Sequence, residues 1–301
     1  MFTQPLPHHL LTHYAQKAGK QGQVPPTLLL VAFEGWNDAG EAASQAVQLV
    51  AKHYQAKPFA GFESESFYSY TESRPHLVPE AQGQATGISW PQTRFVEAWS
   101  TKGTRILIIT GQEPSLSWKN YCQHLLELID REKVDLVIFC GALLDEVPHT
   151  QPAPVGITSF SPTMLVHPGV APSTYTGPTG IIGVLAHAAG ARDIPALSLW
   201  ASLPHYLAHP PHPKATFSLL SVIEAITGLP MPLEKLADEI MAWERGAKEL
   251  LEDEPELLAY VQQLESTYER ADSIGDISKV DIAAEFEQYL KEQDSEGGSP
   301  S

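Results

Sequence analysis

Four residue types with chemical potential fall inside one short bend, "FEGWNDAG", where Glu34, Trp36, Asn37 and Asp38 sit among glycines. Two further loops add to them: "GQEP" (111–114) supplies Glu113, and "EVPHT" (146–150) supplies Glu146, His149 and Thr150. Carboxylates and an imidazole brought within hydrogen-bond reach can pass protons to and from a substrate. Glu34, Asp38, Glu113 and His149 are therefore the catalytic candidates if the chain is an enzyme. A simpler reading stands beside this one. Asn37 or Asp38 can cap a following helix by accepting from a first-turn amide, and the glycines permit a tight turn. Neither task needs Glu34 or Trp36, which makes that pair candidates for touching a ligand or partner.

Two other stretches invite a chemical reading. "YTGPTGIIG" (175–183) brings Gly177, Thr179 and Gly180 to a helix start, where free amides favour an anion. It has neither the "GK[ST]" of a phosphate-binding loop nor dinucleotide glycine spacing, and Thr179 can equally be a cap. "HYLAHPPH" places His205, His209 and His212 close together. Its prolines oppose a helix that would align them, and no carboxylate or cysteine completes a ligand set. His205 is kept as a contact candidate; no metal and no cofactor are expected.

The elements that must position these residues follow from apolar patterning. "TLLLVAF" (27–33), "RILIITG" (105–111), "DLVIFCGAL" (135–143) and "PALSLWASL" (195–203) are short runs apolar on both faces. Between and after them lie helical patterns at 38–54, 117–132, 180–193 and 214–228. Doubly buried strands separated by helices predict a layered α/β fold with a mostly parallel or mixed sheet. Such sheets gather ligands beyond the carboxyl ends of their strands, where loops 34–38, 111–116 and 144–152 all fall. Segment 57–98 adds a strand and a long excursion. The organisation expected is an irregular arm over 1–24, an α/β core over 25–230, a helical extension over 231–292 and a disordered tail over 293–301.

Composition narrows the partners. The chain has 301 residues and a net charge of −17. Residues 1–230 hold 17 acids and 13 bases, a net of −4; residues 231–301 hold 19 acids and 6 bases, a net of −13. With no basic footprint to displace phosphate counterions, nucleic acid is not an expected partner. No apolar run is long enough to span a bilayer, so no membrane is expected either. Cys122 and Cys140 sit in apolar patterns without metal spacing, which fits a reducing, cytoplasmic setting. The extension reads as amphipathic helices with acidic outer faces, "LEKLADEIMAWERGAKELL", "ELLAYVQQLESTYER" and "DIAAEFEQYL".

In order, "FEGWNDAG", "GQEPSLSW", "LLDEVPHTQP", "YTGPTGIIGVL", "SLWASLPHYL" and "PHPKATFSLL" resemble the actinobacterial branch of the proteasome assembly chaperone family, second-subunit type. The resemblance runs over about residues 27–292. It implies a mixed α/β fold similar to the purine nucleoside phosphorylase core, self-association as a homo-oligomer, and proteasome core-particle subunits or another complex as partners. Two departures stand out: Gln151 follows "PHT" where the family carries arginine, and the chain ends "GSPS" rather than in a hydrophobic–tyrosine–any tripeptide. The expected function is a non-enzymatic interaction or assembly protein. The alternative is a binder of, or enzyme acting on, a nucleoside- or phosphate-bearing ligand, phosphorylase- or hydrolase-like, at the strand carboxyl ends.

Overall fold

Alternating side chains in β1 decide the architecture. The computed structural model describes residues 6–18, 24–79 and 86–272. In chain order these form α1 (Leu10–Lys17), β1 (Thr27–Val31), α2 (Ala42–His53), β2 (Lys57–Pro58), β3 (His76–Pro79), β4 (Thr86–Ser89), β5 (Thr93–Trp99), β6 (Arg105–Gly111), α3 (Trp118–Glu132), β7 (Leu136–Asp145), β8 (Val155–Ser159), β9 (Ala171–Pro172), α4 (Ile181–Gly190), β10 (Ala196–Pro204), α5 (Pro213–Thr227), α6 (Ala237–Asp253) and α7 (Pro255–Asp272). Leu28, Leu30 and Ala32 point into one apolar cluster with α1, α2 and α5. Leu29, Val31 and Phe33 point into a second, with α3 and α4. Each fully buried leucine contributes roughly 1.5–3 kcal/mol, so a strand apolar on both faces is held only between two helical layers.

One sheet has eight strands in the order β2-β5-β6-β1-β7-β10-β8-β9. Its centre, β6-β1-β7-β10, is parallel, and β5 and β8 flank it antiparallel. The sheet is therefore mixed, with its parallel strands in the middle, where helices cover both faces. Within the expected excursion, β3 and β4 form a separate hairpin.

Part of the expected irregular arm over 1–24 is helical. Leu10, Leu11, Tyr14 and Ala15 are buried on one side of α1, and that buried stripe outweighs the poor cap at His9, which has left-handed backbone and no side-chain hydrogen bond. In the extension, Leu236 and Ile240 join the α5 cluster, while Ala247, Leu251, Val261 and Leu264 are also buried. The helix expected over "DIAAEFEQYL" and the tail over 293–301 lie outside the described residues. Among the described residues no helix is long and apolar enough to cross a membrane. Both cysteines are buried and free. Burial pushes the Cys122 thiol up to about 11 and Cys140 to about 12, which leaves little reactive thiolate.

Candidate functional site

The loop after β1 extends the parallel ladder on both sides. Glu34 N–H donates to Gly111 O at 2.8 Å, Glu113 N–H donates to Glu34 O at 3.0 Å, and Ala142 N–H donates to Asn37 O at 2.8 Å. The bend is thus fixed to β6 on one side and to β7 on the other. Gly35 turns it at φ 113°, a region closed to most side chains.

Asp38 of this bend and Glu113 of the loop after β6 close helices on opposite faces of the sheet. Asp38 Oδ1 accepts from Ala43 N–H at 2.8 Å and Ser44 N–H at 3.1 Å, in the first turn of α2. Glu113 Oε1 accepts from Ile181 N–H at 2.7 Å, the first residue of α4, and from Asn37 Nδ2 at 2.8 Å. Burial raises both carboxyl pKas above the ordinary range, and these hydrogen bonds pull against the rise. Asp38 Oδ2 is buried with no partner among the described residues. Gly180 is where α4 meets the pair: a Cβ there would stand 2.1 Å from Asn37 Nδ2 and 2.6 Å from Glu113 Oε1. The α4 N-terminus expected to attract an anion therefore already holds the Glu113 carboxylate. Gly177 and Thr179 are exposed beside it, and the Thr179 hydroxyl donates only weakly to Gly180 O at 3.4 Å instead of capping.

Glu34 pairs with Arg94 of β5 at 3.2 Å, and Trp36 is 74% exposed. A shallow cavity of about 400 Å³ opens here, lined by Glu34, Glu72, Gln112, Glu113 and Trp118 among others.

His149 belongs to a different group. Its Nδ1 lies 2.9 Å from the Tyr206 hydroxyl, and its backbone N–H donates to the same oxygen at 2.9 Å. Its carbonyl accepts from Lys214 Nζ at 2.7 Å, and its ring meets Trp243 of α6 edge-on. Burial and the Lys214 charge hold its pKa below the usual imidazole value. Lys214 is 2% exposed and pairs with Glu244 of α6 at 2.9 Å. Thr150 donates to Glu265 of α7 at 2.6 Å. His205 packs against Tyr206 and Tyr260, and Glu146 is exposed next to them. This set fastens the C-terminal helices to the ends of β7 and β10. None of the hydrogen bonds of His149 reaches Glu34, Asp38 or Glu113, and it does not line their cavity. The geometry brings Asn37, Glu113 and Gly180 together and leaves His149 with the extension.

Arg94, Tyr206, Lys214 and Trp243 escape a sequence reading. Lys214 alone left a signal: one lysine opening "KATFSLLSVI", a run buried on every side, must find an acid. Among the described residues no three His, Cys, Asp or Glu side chains could hold a metal ion.

Residues 32–251 match the PAC2 family. The chain belongs to that family. The matched span takes in the first loop group and the second as far as Glu244; Tyr260 and Glu265 of α7 lie beyond it. A proteasome-assembly chaperone homologue from Mycobacterium tuberculosis is 38% identical, with a TM-score of 0.70 over 78% of this chain and 99% of its own. A PAC2 family protein from Streptomyces avermitilis is 36% identical, again with a TM-score of 0.70 and coverage of 78% and 99%. An archaeal proteasome activator from Pyrococcus furiosus is 15% identical over 76% of this chain and 95% of its own; its TM-score of 0.57 marks a shared PAC2 fold alone. No curated protein matches the chain.

Proposed function

We propose that this PAC2 protein is a non-enzymatic, chaperone-like interaction protein that works in the cytoplasm as a homo-oligomer, with proteasome core-particle subunits as its client. One observation carries the reading: the acids at the ends of β1 and β6 are engaged, Asp38 as a cap on α2, Glu113 as a cap on α4 and Glu34 in an ion pair with Arg94, while Trp36, in the loop with Asp38, stands exposed. An acid–base enzyme needs its carboxylates and imidazole free and convergent, and here His149 is tied to Tyr206 and Lys214 instead. Kinship with a proteasome-assembly chaperone homologue supports a protein client.

The test is reconstitution. The purified chain is sized by light scattering, then mixed with separated core-particle subunits, and ring formation is followed on native gels. A multimer that changes the rate or yield of ring formation is expected. A monomer that leaves assembly unchanged would overturn the proposal.

A further inference from the structure

The edge that carries Trp36 borders an acidic cavity. The cavity beside β1 and β6 carries three carboxylates, Glu34, Glu72 and Glu113, and among the described residues no lysine, arginine or histidine lines it. Arg94, the cation at its rim, pairs with Glu34. Glu72 has no side-chain partner among the described residues, and Gln112 Oε1 is buried with no hydrogen bond. Glu113 spends Oε1 on Asn37 and Ile181. Its Oε2 faces Gly35, where a Cβ would lie 4.0 Å away. Trp118 adds an aromatic wall.

The rim is apolar. Trp36, 74% exposed, follows the lining residue Gly35, and Leu116, 43% exposed, follows the lining residue Ser115. Trp36 and Leu116 together set exposed apolar surface beside the cavity, and tryptophan is prominent among the residues that carry binding energy in protein contacts. An anionic wall repels acidic partners and attracts cations. A lysine fits both halves, since its four-carbon stem lies along apolar surface while the ammonium reaches the carboxylates.

We propose that the loop edge formed by residues 34–36, 72–73 and 112–118 docks a basic segment of a protein partner, with a lysine side chain entering between Glu34, Glu72 and Glu113 and an apolar neighbour resting on Trp36. This deepens the interaction-protein reading by naming the chemistry of the partner, and it rests on that reading.

The probe is a library of random twelve-residue peptides selected against the intact protein, with affinities of the enriched peptides then measured by fluorescence anisotropy. Enriched peptides carrying a lysine beside an aliphatic or aromatic residue are expected. Glu72→Gln should weaken them about five- to tenfold, and Trp36→Ala about thirtyfold. Acetylating the lysine or raising the salt should weaken them as well. Both substituted side chains are exposed, so unchanged urea midpoints should show that folding is intact. Selection of neutral or acidic peptides, of peptides indifferent to both substitutions, or of none at all overturns the docking surface. Ring reconstitution reads the chaperone-like role separately, so an effect on assembly that survives Glu72→Gln and Trp36→Ala would sink this surface and leave that role standing.

Discussion

Acid should destabilise this protein through His212, a residue with no chemistry of its own. His212 is 1% exposed and caps α5: Ala215 N–H donates to its Nδ1 at 3.2 Å. With Nδ1 accepting, the neutral ring carries its proton on Nε2, which is buried without a partner among the described residues. A second proton would land on Nδ1, break the cap and set N–H against N–H. Burial, with Lys214 and His149 adding repulsion, lowers the pKa from 6.5 to about 4. The unfolded chain therefore takes up this proton first. The stabilisation is complete above pH 6.5 and is lost as pH falls toward 4. Between pH 7 and about pH 4.5 the loss is about 2.5 kcal/mol. Asparagine at 212 keeps a good cap acceptor and cannot titrate. His212→Asn should cost about 1–2 kcal/mol at pH 7 through lost packing on Trp243. It should also shrink the acid-induced loss by about 2.5 kcal/mol, read from paired urea titrations. An equal acid-induced loss in both proteins, or a His212 ring titrating near pH 6.5 by NMR, refutes the reasoning.

Other consequences are as direct. Gly180→Ala places a methyl against Asn37 and Glu113 and should cost about 2–3 kcal/mol; a urea midpoint equal to that of the parent would mean the α4 junction has slack. Lys214→Ala leaves the His149 carbonyl without its donor and removes the buried Lys214 stem, while Glu244, 38% exposed, turns to water; the cost should be about 1–3 kcal/mol, and Lys214→Met, which refills the stem, should retain much of that stability. Limited proteolysis within α6 should separate the two, and equal cutting would count against the packed Lys214 side chain as the tie.

The strands were legible because burial on both faces leaves an unbroken apolar run, as in "TLLLV", which no solvent-facing element tolerates. Asp38 was legible as a helix cap because its acceptor and its amides are five and six residues apart. Glu113 was not, since its amide lies 68 residues away on α4 and local spacing carries no trace of that approach. The same distance hid the grouping of His149: its partner Tyr206 is 57 residues on, and Trp243 comes from the acidic extension. The prolines and the missing carboxylate or cysteine removed His212 from any ligand set, but nothing in the local sequence marked it as buried. Only the packing of α5 and α6 shows it to be a ring in the core.

The bend from Glu34 to Asp38 is tethered by backbone hydrogen bonds to Gly111, Glu113 and Ala142. Loops that order on contact lose entropy when they bind, and that loss weakens the complex. Here folding has already fixed the backbone beneath Trp36, so little of that loss is left to association. A partner meeting this edge would encounter a surface already shaped. Variation in its grip would then appear in how slowly it leaves, with little change in how fast it arrives.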